Sequence, residues 1–292
     1  MGTPEFAVES LRSLVEGGYN VVAVVTQPDK PVGRHGSVLQ PSPVKQYAMQ
    51  KDIPVLQPEK MKDEAFLSQL RSFNADLQVV VAFRMLPEVV WAMPRFGTFN
   101  VHASLLPKYR GAAPINWAII NGEKETGVTT FFLDHEIDTG RIIFQRATSI
   151  GDDENVEQLY DRLMTMGAEI CLQTVDAIIA TDGNVETYPQ PEASIPTPAP
   201  KIFKDTCRID WTKTRKEVYD FVRGLSPYPA AWTMFCGQQM KVFAVSFEPS
   251  PLAAPCSDGP LYITSLQLAG KKRMPVDAFF NGLHNKTDIT FA

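Results

Sequence analysis

The chain has 292 residues, of which 44% are hydrophobic and 21% are charged, and its formal net charge is −5. This composition is typical of a soluble globular protein of one or two domains, and it excludes a disordered, collagen-like or disulfide-rich chain. No apolar run approaches the roughly 20 residues of a membrane-spanning helix, and the N-terminus lacks the basic and apolar regions of a secretory signal. The four cysteines are widely spaced, which favours buried thiols in a reducing compartment over structural zinc. We therefore expect a cytoplasmic protein that has no contact with a membrane.

The first 150 residues alternate short β-branched runs with helical patterns. Strands are predicted at residues 20–26, 53–56, 77–83, 98–103 and 128–133. Helices are predicted between them, at residues 4–15, 63–73, 87–93 and 114–121. Strands that alternate with helices indicate an α/β fold with a doubly wound, mostly parallel sheet.

Such folds usually open with a strand that leads into a glycine-containing turn, whereas this chain begins at the turn Met1-Gly2-Thr3-Pro4. We therefore expect a first strand to precede Met1.

A long helix is predicted at residues 153–179, and the segment after it is rich in proline. Proline favours extended backbone, so residues 188–200 are interpreted as a semi-rigid linker. This places a catalytic domain at residues 1–187 and a second domain at residues 201–292. The second domain is predicted to hold a helix and short strands, in the form of a small OB-like β-barrel, with the helix at 218–224 and the strands at 231–235, 240–247 and 261–268.

Charge is distributed unevenly along the chain. Residues 201–292 contain twelve Lys and Arg against eight Asp and Glu, a net charge of +4, whereas residues 1–200 carry a net charge of −9. An acidic body with a basic C-terminal region is typical of a protein that meets a polyanion, although chance clustering on a solvated face gives the same pattern.

The segment 99–111, FNVHASLLPKYRG, holds the most informative polar residues. Asn100 and His102 stand two residues apart near the end of a predicted strand, so their side chains project from the same face. Asp138 precedes a Thr-Gly turn after the next predicted strand. Because sites in open α/β sheets form beyond the carboxyl ends of strands, we expect the three side chains to lie close together. Each alone has an ordinary structural interpretation, but an amide, an imidazole and a carboxylate together indicate general acid–base chemistry.

The motifs Asn100-Val-His102, Ser104-Leu-Leu-Pro107 and Asp138-Thr-Gly140 resemble those of the folate-dependent formyltransferases. The stretches RGAAPINWAI, NGEKETGVT and GTPEFA are similar to the branch of that family that acts on methionyl-tRNA. The resemblance covers most of residues 1–230 and continues in LAGKKRM at 268–274. It implies a Rossmann-like formyltransferase domain followed by a tRNA-binding domain. The activity it implies is transfer of the formyl group of 10-formyltetrahydrofolate to the α-amino group of methionine on initiator methionyl-tRNA, for translation initiation.

In the implied reaction, attack of the amine on the formyl carbon gives a tetrahedral oxyanion, which needs fixed hydrogen-bond donors. The resemblance implies that Asn100 and a protonated His102 supply these donors. Asp138 would stabilise and orient the protonated imidazole, and Asp138 or a water that it holds would relay a proton from the amine to the departing folate nitrogen. The reaction requires neither a metal ion nor a covalent nucleophile.

The resemblance also implies a folate site formed by the segment after the strand at 77–83, the Leu-Pro loop and the loop of Asp138. The expected contacts are Phe83, Arg84, Met85, Leu86, Ser104, Leu105, Leu106, Pro107, Asp134, Ile137 and Thr139. Relatives often carry Tyr-Gly where this chain has Phe83-Arg84, and recognition by backbone groups tolerates that change. Arg84 is a candidate contact for the anionic tail of the cofactor, with an ordinary surface arginine as the alternative.

The segment 27–45 is expected to contact tRNA. It contains four prolines, two glycines and the basic residues Lys30, Arg34 and Lys45, so we predict an exposed arm that is too irregular for a strand. The family uses a loop in this position to enter the acceptor end of the tRNA, and Arg34 is therefore the expected main contact. Lys201, Lys271, Lys272 and Arg273 are expected to bind phosphates non-specifically, which would make affinity fall with salt.

Two alternatives remain at this point. A formyltransferase for a small amine, such as glycinamide ribonucleotide or an amino-sugar nucleotide, would share the three polar residues but lack the basic arm and the linked β domain. A catalytically silent RNA-binding or folate-binding relative would have no chemical reason to keep all three residues. We expect the protein to be a monomer.

Overall fold

The computed structural model describes residues 1–32, 38–191, 197–282 and 289–291, which form two compact units. The first unit comprises Met1–Arg110, Gly127–Ala147 and Asp161–Thr197. The second unit comprises Gly111–Thr126, Thr148–Tyr160 and Pro198–Ala292. The second unit thus includes two segments from the first 160 residues.

The described part of the chain contains a helix or strand at each position predicted to hold one, and it adds elements that were not predicted, among them helices at Pro43–Gln50 and Val276–Asn281 and a strand at Ile142–Ser149. The helices are α1 (Glu5–Glu16), α2 (Pro43–Gln50), α3 (Glu64–Ser72), α4 (Glu88–Trp91), α5 (Pro114–Ile120), α6 (Val156–Ala180), α7 (Arg215–Leu225) and α8 (Val276–Asn281). The strands before residue 200 are β1 (Val24–Val25), β2 (Lys30–Val32), β3 (Val38–Gln40), β4 (Val55–Leu56), β5 (Gln78–Val81), β6 (Thr98–His102), β7 (Arg110–Gly111), β8 (Glu125–Phe132), β9 (Ile142–Ser149) and β10 (Pro198–Ala199). Those that follow are β11 (Ala231–Phe235), β12 (Gln238–Ser246), β13 (Ala253–Cys256), β14 (Gly259–Leu268) and β15 (Met274–Pro275).

The sheet of the first unit is mostly parallel, as predicted. β1 pairs in parallel with β4, and β5 pairs in parallel with β6. The first two residues of the chain lie between β1 and β5: the Gly2 N–H donates to the carbonyl of Val25, and the Met1 carbonyl accepts from the N–H of Val81. β8 then pairs antiparallel with β6, and β9 follows at the edge. The carboxyl ends of β5 and β6 therefore open at the same edge of the sheet.

Helix α6 is the longest helix in the described part of the chain, with 25 residues. Leu159, Leu163, Ile170 and Ile178 recur at helical spacing and are completely or almost completely buried. By length and composition alone, α6 is long and apolar enough to be a candidate membrane span, although charged residues interrupt its apolar sequence. A buried core helix passes the same test, and 44% of the apolar window of α6 is buried inside the protein.

The second unit is built on the antiparallel sheet β11-β12-β14-β13, with β15 paired to β14. Irregular pairing between Val242 and Val245 bends β12, as bulges do. The sheet therefore curls, in a half-barrel form that agrees with the predicted small β-rich fold. Helix α7 covers its core, and a capping box between Thr214 and Glu217 fixes the N-terminus of this helix.

The predicted irregular arm contains regular structure, which corrects one expectation. β2 and β3 form an antiparallel pair, with Lys30 opposite Gln40 and Val32 opposite Val38. All six residues of the two strands are exposed, as predicted for an arm. The sequence did not predict β2 and β3 because neither face of these strands is buried, and such strands show no alternation of apolar and polar residues. Arg34, the expected main tRNA contact, lies outside the described residues.

Candidate active site

Asn100 and His102 lie on β6 and project from one face of the strand, as their spacing predicts. Nε2 of His102 is 2.8 Å from the carbonyl oxygen of Tyr109. Because a carbonyl oxygen only accepts hydrogen bonds, Nε2 carries a hydrogen in this arrangement. Nδ1, the other ring nitrogen, lies 3.9 Å from Oδ2 of Asp138. The side chains of His102 and Asp138 are only 7% and 12% exposed, so the pair is largely shielded from bulk water.

Asp138 stands in the tight turn that follows β8. Its φ is 56°, in the left-handed region that aspartate tolerates better than most residues. Gly140, two residues later, packs so closely that a Cβ there would lie 1.7 Å from the carbonyl oxygen of Phe132. Only glycine fits this position, so the end of the turn packs directly against β8.

Asn100 carries a buried acceptor that the protein does not use. Its Oδ1 is inaccessible to solvent and has no hydrogen-bond partner among the described residues. A buried polar atom without a partner costs about 1–3 kcal/mol of folding free energy. An amide oxygen without a partner, on the same strand face as the His102 ring that Asp138 approaches, indicates a site that a ligand completes.

The Leu-Pro loop after β6 is held by side chains from β8 and β9. The Thr129 hydroxyl donates to the carbonyl of Ser104 at 2.6 Å and accepts from the N–H of Leu106 at 3.2 Å. Nε2 of Gln145 donates to the Leu106 carbonyl at 2.9 Å and to Thr129 Oγ1 at 3.0 Å. These bonds fix the path of the loop as it leads to Tyr109, whose carbonyl meets His102.

The Leu-Pro loop itself offers little surface to a folate. Ser104 is fully buried, and its hydroxyl donates to the carbonyl of Lys108 at 2.7 Å. Leu106 is 3% exposed and packs in a cluster with Phe131 and Ile142. Leu105 and Pro107 are half-buried. The structure therefore gives Ser104 and Leu106 a supporting position in the loop.

A cavity of about 400 Å³ opens beside the other expected folate residues. Met85, Leu86 and Trp91 line it together with Lys62, Glu88 and His135. The rings of Trp91 and His135 meet edge to face at 5.4 Å, and Nδ1 of His135 lies 3.9 Å from the Glu88 carboxylate. The cavity lies between the segment after β5 and the loop after β8. Its lining combines apolar, aromatic and charged side chains.

The remaining expected folate residues lie around the same two segments. Ile137 is 59% exposed. The Thr139 hydroxyl donates to the carbonyl of Glu136 at 3.1 Å, and the Asp134 carboxylate accepts from the N–H of His135 at 2.6 Å.

Arg84 takes a position different from the expected contact with an anionic tail. Its guanidinium donates to the backbone carbonyls of Pro58 and Glu59, and it lies 5.8 Å from the centre of the Phe83 ring. The side chain thus fixes the segment before α3, as an ordinary structural arginine does.

Two of the expected tRNA residues lie near the base of the arm. Lys30 is exposed at the start of β2. Lys45 is half-buried, and its ammonium lies 2.7 Å from the carboxylate of Asp29, which also accepts from Gln57 at 2.7 Å. The hydrogen bonds from Lys45 and then Gln57 lower the pKa of the Asp29 carboxyl from its ordinary value. Lys45 therefore anchors the arm to α2 in this structure.

Basic side chains of the second unit lie over aromatic rings, a feature that sequence reasoning missed. Nζ of Lys201 is 5.4 Å from the ring centre of Phe203, which is 62% exposed. The Arg273 guanidinium is 4.4 Å from the ring centre of Phe243, and Lys271 and Lys272 are exposed next to it in sequence. Cations combined with exposed aromatic rings are typical of surfaces that bind single-stranded nucleic acid.

Two residues that support Asp138 were not among the predicted site residues. Nε2 of Gln190 donates to the carbonyls of Asp138 and Gly140, and Arg110 donates to Oε1 of Gln190. Gln190 belongs to the segment interpreted as a linker, where nothing in the local pattern points to a site more than 50 residues away. Arg110 stood within the informative segment, and its position directly after Tyr109 was the available signal.

The buried Cys171 is not a reactive thiol. Burial raises the pKa of the Cys171 thiol to about 12, so this cysteine stays protonated at neutral pH. Among the residues that the structure describes, no group of three His, Cys, Asp or Glu side chains is placed to hold a metal ion.

Comparison with known proteins places these features in one family. A family model described as "Formyl transferase" matches residues 1–175, and one described as "Formyl transferase, C-terminal domain" matches residues 201–254. The methionyl-tRNA formyltransferase of Parabacteroides distasonis is 59% identical over 314 residues, covering 99% of this chain and 96% of the relative. That of Bacteroides fragilis strain ATCC 25285 is 56% identical over 307 residues, covering 97% of this chain and 94% of the relative. Among solved structures, the sugar 3N-formyl transferase WlaRD, crystallised with dTDP and 5-N-formyl-THF, matches with a TM-score of 0.66 and 22% identity over 93% of this chain and 97% of that one.

Proposed function

Because the chain belongs to the formyltransferase family, we propose that it transfers the formyl group of 10-formyltetrahydrofolate to the α-amino group of methionine on initiator methionyl-tRNA. It is a one-carbon transferase that serves translation initiation. The observation that carries the proposal is the shielded His102–Asp138 pair beside the partnerless Oδ1 of Asn100, in a chain 59% identical to a methionyl-tRNA formyltransferase over almost its whole length.

Asn100 suits both reactants of a formyl transfer. A terminal amide has two N–H donors and one acceptor oxygen. In this proposal an N–H of Asn100 donates to the formyl oxygen, where negative charge develops as the amine attacks. The buried Oδ1, which lacks a partner among the described residues, accepts an N–H of the attacking amine and aims its lone pair at the formyl carbon. The substrates thus satisfy the atom that the protein leaves unpaired.

His102 supplies the second donor to the developing oxyanion. Its Nε2–H is held by the Tyr109 carbonyl at 2.8 Å, and in this proposal the formyl oxygen shares that hydrogen. Asp138 faces Nδ1 at 3.9 Å and orients the ring in this proposal. A fixed donor of this kind stabilises the oxyanion in a site that excludes water.

The proton and bond changes balance without any further reagent. A bond forms between the amine nitrogen and the formyl carbon, the bond from that carbon to the folate nitrogen breaks, and one proton passes from the amine to the departing nitrogen. Asp138, directly or through one water molecule, accepts the proton and returns it.

The folate and tRNA contacts complete the proposal. The cavity lined by Met85, Leu86 and Trp91 has the size and lining to hold part of the folate. The expected contacts of Phe83, Leu105, Pro107, Asp134, Ile137 and Thr139 with that folate remain part of the proposal. Lys30 and Arg34 of the arm contact the acceptor end, while Lys201, Lys271, Lys272 and Arg273 bind phosphates. We propose that the protein works in the cytoplasm as a monomer.

Formyl transfer from 10-formyltetrahydrofolate to charged initiator tRNA tests the proposal, with free methionine and glycinamide ribonucleotide as competing acceptors. We expect product only on the charged tRNA, detected by its shift on an acid gel. His102→Ala and Asp138→Asn should each lower kcat about 100-fold or more, as loss of an oxyanion-hole donor does.

Asp182→Asn is the matched control, since Asp182 is an exposed aspartate that also adopts a positive φ of 48° in a turn of the first unit. It should retain full activity. Transfer to a small amine alone would replace the tRNA role with the small-amine alternative, and near-normal turnover of His102→Ala would refute the assigned chemistry.

A further inference from the structure

Gln190 connects the Asp138 turn to the strand that follows His102. Its Nε2 donates to the carbonyl oxygens of Asp138 at 2.8 Å and Gly140 at 2.9 Å. Its Oε1 accepts from Nη2 of Arg110 at 2.6 Å and from Nε of Arg110 at 3.1 Å. Both amide hydrogens of Gln190 therefore bond to the turn, and its oxygen accepts from two nitrogens of the Arg110 guanidinium.

The Asp138 turn needs hydrogen bonds from outside the turn because its backbone is strained. A left-handed conformation costs an L-residue about 1–2 kcal/mol and persists only where the surroundings fix it. Asp138 adopts such a conformation, with a φ of 56°. The two carbonyls that Gln190 binds lie on either side of Thr139, so its amide fixes the two ends of this short turn. The direction of the Asp138 carboxylate follows from that geometry.

Arg110 connects Gln190 to the residues around His102. It follows Tyr109 directly, and the carbonyl of Tyr109 accepts from Nε2 of His102. One hydrogen bond joins the His102 ring to Tyr109, the peptide chain joins Tyr109 to Arg110, and further hydrogen bonds join Arg110 to Gln190 and Gln190 to the Asp138 turn. The 3.9 Å approach between Asp138 and His102 completes the circuit. A single network thus fixes both members of the pair relative to each other.

We propose that Gln190, oriented by Arg110, is a positioning residue that sets the approach of the Asp138 carboxylate to His102. The inference rests on the proposed function for its catalytic consequence. Gln190 touches neither substrate in this proposal and acts only through the Asp138 turn. The segment 188–191 therefore contributes to the active site in addition to leading toward the second unit.

Two substitutions separate the parts of this role. Gln190→Glu keeps an acceptor for Arg110 but removes both N–H donors to the turn, and Gln190→Met removes donor and acceptor at similar volume. We expect each to lower kcat about 10- to 100-fold, because small displacements of a reacting group have effects of that size. KM for both substrates should change much less than kcat. Thr187→Val is the control, since Thr187 bonds Arg141 from the same segment without touching the Asp138 turn.

A double-mutant cycle with Asp138→Asn distinguishes positioning from a general structural effect. If Gln190 acts through Asp138, the double variant should be about as slow as Asp138→Asn alone. The proposal is overturned if the two losses multiply, or if Gln190→Glu and Gln190→Met both turn over at the wild-type rate.

NMR of the His102 ring supplies a readout that needs no substrate. The ring resonances of the folded Gln190→Glu variant should move in the same direction as those of Asp138→Asn, while Thr187→Val leaves them in place. Unchanged ring resonances in Gln190→Glu would also refute the proposal. A wild-type protein that formylates no tRNA would refute the proposed function, and the ring resonances would still decide whether Gln190 positions Asp138.

Discussion

The site of the first unit contains one solvent-inaccessible polar atom, Oδ1 of Asn100, that has no partner among the described residues, whereas a charged cluster of the second unit bonds its buried charges to protein groups. In the cluster, Asp220 is 3% exposed and Arg223 is 6% exposed. Asp220 accepts from Arg223 Nε at 2.8 Å and from the ammonium of Lys216 at 2.6 Å. Nη1 of Arg223 donates to the carbonyls of Gly151 and Glu154, at 3.1 and 2.9 Å. These charges fix α7 against a neighbouring segment of the same unit.

The site of the first unit leaves part of its capacity unused. Oδ1 of Asn100 has no partner in the described part of the chain, and the His102–Asp138 approach of 3.9 Å is longer than a hydrogen bond. The charged cluster completes its hydrogen bonds within the fold, whereas Asn100 Oδ1 keeps an acceptor that, in the proposed reaction, the substrate satisfies. A missing partner alone does not identify a functional atom, since Nε of the structural Arg84 also lacks one among the described residues; at Asn100 the shared face with His102 adds the functional argument.

The largest expected effect comes from a substitution in the charged cluster of the second unit. Asp220→Ala leaves the Arg223 guanidinium buried without its counter-charge, which should lower the free energy of unfolding by about 3–5 kcal/mol. Urea denaturation followed by circular dichroism measures this loss.

Lys216→Met is the matched control because Lys216 binds the same carboxylate from a side chain that is 51% exposed. An exposed partner contributes about 1 kcal/mol at most. Equal losses for the two variants would show that burial does not distinguish the two cations of the cluster.

Asn100→Leu tests the unsaturated side. Leucine has a similar branched shape and removes the buried acceptor that lacks a partner in the described structure, so folding stability should stay constant or rise by about 1 kcal/mol. Formyl transfer should fall about 100-fold or more, because the donor to the oxyanion is lost. Thermal unfolding and kcat are measured on the same preparation. A destabilisation as large as that of Asp220→Ala would mean that Asn100 supports the fold and would remove the contrast between the two regions.

The sequence was sufficient to predict the strand that carries Asn100 and His102 and the approach of Asp138 to His102. Val-rich runs marked the parallel strands, and sites form at the carboxyl ends of such strands. These inferences use local patterns of a few residues. The fold class followed from the same patterns because strands and helices alternate along the first 150 residues.

Gln190 could not be found in the same way. Its partners are Asp138 and Gly140, about 50 residues away, and no local pattern records a contact over that distance. The β2–β3 pair escaped for a different reason, since strands exposed on both faces need no hydrophobic alternation. Lys45 was interpreted from its charge alone, and its pairing with Asp29 depends on the fold that brings α2 to the base of the arm.

The smallest expected effect extends the comparison to surface cations. Arg273 is held by the Phe243 ring and by a 3.0 Å hydrogen bond to Ser265, whereas Lys271 and Lys272 are fully exposed lysines of the same run. If the proposed phosphate contacts form, the double variant Lys271→Ala, Lys272→Ala should raise KM for charged tRNA and leave kcat and the unfolding free energy unchanged. Each lost contact should reduce by about one the slope of log(kcat/KM) against log salt.

Lys51→Ala is the control, since this exposed lysine follows α2 in the first unit and lies beside the Tyr47 ring. It should leave KM for charged tRNA unchanged. A salt slope that is the same in the wild type and in the Lys271, Lys272 double variant would assign those lysines to solvent. In that case the charge excess of residues 201–292 would act, if at all, through cations that aromatic rings hold in place, such as Arg273. At the surface, the functional cation would then be the one that the protein packs against an aromatic ring. In the site of the first unit, by contrast, the functional atom is the one that the protein leaves without a partner.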